Sequence, residues 1–221
     1  MTDAFTDELF QAHGVGGTVV QFPVSRLLVD PERFENDAQE VMAGRGIGVI
    51  YTRSTSGGAL RRALQEPERQ ALLDRFYRPH HAALTEAAAN ELSATGRCLI
   101  LDAHSFPAVP LPWELDQDPS RPDICIGTDS FHTPPALVNA ATAACRDLGW
   151  TVEIDRPFSG ALVPIAFHRR DAKVKSLMIE VNRRLYMDEA TGTRGGDFEA
   201  CRTQVGRLIS GIVSKHRSAI S

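Results

Sequence analysis

Apolar residues recur along this chain in short blocks: Thr18 to Phe22, Ile47 to Tyr51, Cys98 to Asp102, Ile124 to Gly127, Trp150 to Ile154 and Leu177 to Val181. Each block has strand length and is bounded by Gly, Pro or charged residues, the pattern of a strand buried in a sheet. Between several of them the apolar positions return at helical spacing. Pro67 to Leu92 carries Leu72, Leu73, Phe76, His80, Leu84 and Ala87 on one stripe, with Pro79 expected to kink it. Pro134 to Leu148 opens with prolines, which a first helical turn tolerates because its N–H groups have no intrahelical partner. Asp197 to His216 presents Val205, Leu208, Ile209, Ile212 and Val213. Phe5, Leu9 and Phe10 suggest a short helix near the start. Alternation of this kind predicts an α/β fold with a mostly parallel or mixed central sheet and helices on both faces. With no repeat, low-complexity tract or long linker, one domain over residues 1–221 is expected.

Composition narrows the possibilities. The 221 residues are 43% hydrophobic and 24% charged, enough apolar surface for a core of its own. A net charge of −4 leaves no basic field to hold a polyanion, so nucleic acid is not an expected partner. The first ten residues lack the basic and apolar regions of a secretory signal, and no stretch reaches the roughly 20 apolar residues of a membrane span. Four scattered cysteines, Cys98, Cys125, Cys145 and Cys201, read as reduced thiols in a cytoplasmic protein.

Candidate chemistry gathers at the ends of the predicted strands. His104 follows the run Leu99-Ile-Leu-Asp with Asp102 and Ser105 beside it, where a neutral imidazole can bind a metal ion through one nitrogen while a neighbour fixes the other. Glu180 follows Leu177, Met178 and Ile179, and a carboxylate in such a strand is partly desolvated, which suits a general base. An ion pair with Arg183 or Arg184 would explain the same residue. Arg26 and Arg33 flank a turn and carry guanidinium forks matched to small carboxylates. Ser159 and Gly160 sit in a turn that can offer backbone N–H groups to an anion, and His132 lies near another strand end. Cys125 lies inside an apolar strand, where thiolate formation is disfavoured. The segment from Phe106 to Pro122 holds five prolines and Trp113, which predicts a long ordered loop beside a strand end.

Several strings resemble, in order along nearly the whole chain, the N-formylglutamate amidohydrolase family: Thr2-Asp-Ala-Phe-Thr-Asp-Glu-Leu-Phe, Ser25-Arg-Leu-Leu-Val-Asp, Leu101-Asp-Ala-His-Ser, Gly127-Thr-Asp-Ser-Phe-His-Thr-Pro-Pro, Pro157-Phe-Ser-Gly and Ile179-Glu-Val-Asn-Arg-Arg-Leu-Tyr-Met-Asp-Glu. The resemblance implies a fold similar to the zinc carboxypeptidases (phosphorylase/hydrolase-like), one bound zinc ion and hydrolysis of N-formyl-L-glutamate to formate and glutamate in histidine degradation. It implies His104 and Asp3 as metal ligands and Glu180 as the catalytic carboxylate. Arg33 and Arg183 become the substrate-carboxylate partners, with Asn182, Ser159, Gly160 and His132 about the substrate. The family opens on a strand and a Pro-His-x-Gly motif that carries a further metal ligand, and this sequence begins after it. A non-catalytic homologue that binds a small carboxylate, or a deacylase of another N-acyl amino acid, is therefore the alternative expectation.

Overall fold

A computed structural model describes residues 3–11, 15–54 and 57–218. Its contacts divide the chain into two compact units, one built from residues 20–87 and 111–117, the other from residues 3–19, 88–110 and 118–221.

The larger unit is built on a mixed four-stranded sheet. Its strands are β1 (Cys98–Phe106), β2 (Ile124–Gly127), β3 (Val152–Ile154) and β4 (Val174–Asn182), in the spatial order β1-β4-β2-β3. β1 runs parallel to β4 and β2 parallel to β3, while β2 meets β4 antiparallel. Side chains alternate across a strand, so each strand sorts its residues between two faces. Leu99 and Leu101, Ile124 and Ile126, and Leu177, Ile179 and Val181 all point to one side. There they pack on α4 (Pro135–Asp147) and α5 (Phe198–Ser218), which contribute Leu137, Ala141, Cys145, Val205, Leu208 and Ile212, and on Leu9 of the short α1 (Thr6–Leu9). Each fully buried Leu, Ile or Val among them contributes about 1.5–3 kcal/mol. The opposite face is partly covered by Ala88 and Leu92 of α3 (Arg78–Thr95) together with Val163 and Phe167. What remains of that face carries polar side chains. A two-stranded ribbon, β5 (Met187–Asp188) and β6 (Thr193–Arg194), precedes α5.

Two of the six expected strands do not form. Thr18 to Phe22 and Ile47 to Tyr51 are irregular, and beyond the named strands the described residues hold only an isolated bridge between Arg53 and Ala59. The second run is apolar because it is buried as a loop in the smaller unit, Val49 and Ile50 packing with Val29, Leu73 and Tyr77, and Ile47 and Tyr51 with Met42. The first is largely exposed, Val19 at 70%, and only Phe22 packs on that cluster. Block length and hydrophobicity signal burial, and burial does not require a ladder partner. The long helical pattern is present, as α2 (Glu66–Leu72), a wider π turn at Leu73–Tyr77, and α3. The π turn lies just before Pro79, whose missing N–H and bulky ring disfavour an ordinary α turn there. Arg78 bonds back five residues to the Leu73 carbonyl. Of the resembling N-terminal string, Thr2 lies outside the described residues. Among the described residues no helix is long and apolar enough to cross a membrane.

Candidate active site

The parallel pairing of β1 with β4 places Asp102 opposite Met178, His104 opposite Glu180 and Phe106 opposite Asn182. The antiparallel pairing places Cys125 on the other side of Glu180. These residues fall on the face turned away from α4 and α5, so His104, Glu180 and Cys125 form one row across three strands. His104 and Glu180, 76 positions apart in sequence, are each only 8% exposed. A buried charge of this kind is retained only with partners.

His104 lies between two carboxylates. Its Nε2 is 2.9 Å from Asp102 Oδ1, and its Nδ1 is 3.4 Å from Asp3 Oδ2. Burial alone would push the imidazole pKa down, but the charges of Asp102 and Asp3 outweigh it and hold the ring protonated well above the ordinary histidine range. Asp3 reaches this position from the chain start. Its Oδ1 accepts the Ser105 N–H at 2.9 Å, at the edge of the sheet where, among the described residues, β1 has no second strand neighbour. Phe5 adopts φ 61°, left-handed backbone that costs a bulky residue about 1–3 kcal/mol. Its ring packs edge-on against Phe198 at 5.7 Å, and Tyr186 Oη donates to the Ala4 carbonyl at 2.8 Å, so the turn carrying Asp3 is anchored on both sides.

Arg183, in the turn after β4, donates to Ser105 Oγ at 3.2 Å and to the Ser105 carbonyl at 3.1 Å, which keeps its guanidinium at the carboxyl end of β1. Arg184 is committed elsewhere, to Asp123 at 2.7 Å. The Cys125 thiol is pushed up to about 12 by burial and by the Glu180 charge, so it stays a thiol, donating to the Phe158 carbonyl. Ser159 and Gly160 belong to a strap that crosses this face. Cys125 Sγ donates to Phe158 O at 3.2 Å, Leu162 N–H donates to Asp102 Oδ2 at 3.0 Å, and Ser176 Oγ donates to Leu162 O at 2.7 Å. Gly127 is required beneath it, since a Cβ there would overlap the Gly160 carbonyl oxygen and Met178.

Other expected residues are held by the fold. His132 is fully buried, with Nδ1 donating to the Val174 carbonyl at 2.6 Å and Nε2 accepting the Arg169 N–H at 2.8 Å, which leaves it no ring nitrogen for a ligand. Asn182 donates to Pro122 O at 2.9 Å and accepts from Arg184 N–H at 3.2 Å, pinning the end of β4. Arg33 belongs to the smaller unit, 3.6 Å from Asp30 Oδ2 and 3.4 Å from Glu40 Oε1. Asp30 is fully buried and also takes Arg26 Nε at 3.0 Å and the Tyr51 hydroxyl. On the sequence Asp102 stands only as a neighbour of His104, although its place two residues earlier on the same strand puts it on the same face.

An imidazole flanked by carboxylates, next to a buried glutamate, is a centre equipped for proton transfer and suited by its oxygen and nitrogen donors to a divalent cation. The surrounding scaffold is a mixed α/β sheet flanked by helices. The chain belongs to the N-formylglutamate amidohydrolase family, whose model matches residues 1–187. The crystal structure of N-formylglutamate amidohydrolase from Ralstonia eutropha JMP134 is similar with a TM-score of 0.81 and 27% identity, over 99% of this chain and 84% of that one. The crystal structure of gene product Atu2144 from Agrobacterium tumefaciens shares the fold, with a TM-score of 0.61 and 21% identity over 89% of this chain and 68% of that one. No curated protein sequence matches. Family and neighbour together indicate a hydrolase of the amidohydrolase kind.

Proposed function

We propose that this protein hydrolyses N-formyl-L-glutamate to formate and L-glutamate, with a bound zinc ion, as a step of histidine degradation in the cytoplasm. The observation that carries the reading is the in-register pairing of His104 with Glu180 on one sheet face, with Asp3 and Asp102 beside the imidazole. Asp3 and His104 fit a divalent cation as ligands, because a half-buried carboxylate and a buried imidazole nitrogen converge there from different segments. When bound, the ion supplies Lewis-acid chemistry, drawing electron density from the formyl oxygen and easing the loss of a proton from water.

The residues of the chain do the rest. Glu180 takes a proton from the attacking water as its oxygen adds to the formyl carbon, then delivers that proton to the amide nitrogen as the C–N bond breaks. Formate and an amine result, so the atoms balance without a co-reactant. Arg183, held at the strand end by Ser105, is read as a receptor for a substrate carboxylate; for Arg33, held by Asp30 and Glu40, that role is what the family resemblance implies. The strap through Ser159 and Gly160 excludes water from the side of the sheet it crosses. The zinc carboxypeptidases are the expected relatives of this layout, and the four free, buried cysteines agree with a reducing compartment.

The test is a substrate panel. The zinc-loaded chain should release formate from N-formyl-L-glutamate and should turn over N-acetyl-L-glutamate and N-succinyl-L-glutamate much more slowly. A preference for a longer acyl group would replace the formyl reading, and no turnover of any of the three would remove the hydrolytic one.

A further inference from the structure

We propose that Asp102 is a positioning residue that fixes the His104 imidazole so that Nδ1, and not Nε2, is offered to the metal ion. The inference rests on the metal-dependent reading above and deepens it. Asp102 itself has the chemistry of a ligand, so its role must be decided by geometry. In a tetrahedral zinc site with bonds of about 2.0–2.1 Å, neighbouring ligand atoms lie about 3.3–3.4 Å apart. The separation of His104 Nδ1 from Asp3 Oδ2, 3.4 Å, matches such an edge. Asp102 Oδ1 and His104 Nε2, at 2.9 Å, stand at hydrogen-bond distance, about half an ångström inside that tetrahedral edge.

The second oxygen of Asp102 explains why the carboxylate stays in place. Oδ2 accepts the Leu162 N–H at 3.0 Å, and the Leu162 carbonyl accepts the Ser176 hydroxyl from β4 at 2.7 Å. The carboxylate is thus held from the strap on one side and grips the imidazole on the other, in a face where it is 8% exposed. An imidazole that donates Nε2–H to a fixed carboxylate has its ring plane and tautomer set, and its other nitrogen becomes a better electron-pair donor. Asp3 is fixed in the same way, Oδ1 accepting the Ser105 N–H at 2.9 Å while Oδ2 turns toward Nδ1. Two ligand atoms are therefore presented in advance, each held by a bond behind it.

The test uses the 221-residue chain loaded with cadmium-113 and labelled with nitrogen-15 on histidine. Nitrogen–cadmium coupling is expected on Nδ1 of His104, with a proton on Nε2. In chelator competition Asp102→Asn should bind zinc about 10–100-fold more weakly than the parent. Ser176→Ala removes only the hydroxyl behind the strap and should weaken zinc binding less than Asp102→Asn does. Coupling on Nε2, or an Asp102→Asn affinity equal to the parent's, overturns the assignment. Turnover of N-formyl-L-glutamate by a chain with coupling on Nε2 would leave the proposed function standing and remove only the role of Asp102. A chain that takes up no divalent cation would overturn both.

Discussion

Glu180→Gln is expected to lower kcat by about 10²–10⁴-fold while zinc and substrate still bind, the range by which a positioned general base usually accelerates a reaction. Glutamine keeps the shape of the side chain on β4 between His104 and Cys125 but cannot take up a proton at neutral pH. The loss corresponds to about 2.7–5.5 kcal/mol of transition-state stabilisation. It should appear in kcat and kcat/KM equally, because the contribution is made in the transition state. Steady-state kinetics at saturating zinc provide the measurement, and near-parent kcat would exclude Glu180 as the proton carrier.

The second large effect is metal removal. Dialysis against a chelator should abolish turnover, and one equivalent of zinc should restore it. The pH dependence has a definite sign. In the metal-free chain His104 holds a proton above the ordinary histidine range because Asp102 and Asp3 outweigh its burial. A metal ion must displace that proton, so the zinc affinity should weaken as the pH falls and strengthen as it rises. The raised pKa also stabilises the metal-free fold fully below the unfolded value near 6.5, and that contribution is lost as the pH rises through the folded value. Zinc titrations followed by activity at several pH values check the affinity trend. Full turnover in the stripped chain would contradict it.

How much of this could be read from residues alone depends on distance along the chain. The strand Val174–Asn182 was legible because Leu177, Ile179 and Val181 alternate with Ser176, Met178 and Glu180, so a glutamate among apolar neighbours had to face something. The pair Asp102 and His104 was missed because the apolar run ends at Asp102, whereas the strand runs on to Phe106 and puts the two residues on one face. The irregular block at Ile47 to Tyr51 was misread because apolar content reports burial and not pairing, whereas Thr18 to Phe22 is largely exposed and its apolar residues signal neither. The antiparallel direction of β2 against β4 leaves no mark on the sequence of either strand. Long-range partners were likewise hidden. Asp3 meets the Ser105 N–H across 102 positions, and only the family resemblance pointed to it. His132 sits at a strand end as expected, but its two backbone partners, Val174 and Arg169, come from a segment about 40 residues on, and no local spacing announces them.

The most direct measurement is diffraction from crystals of the Glu180→Gln variant soaked with zinc and N-formyl-L-glutamate. The account predicts intact substrate with its formyl group lying between His104 and the substituted amide side chain on β4, on the sheet face turned away from α4 and α5. Substrate bound elsewhere, touching neither side chain, would contradict it.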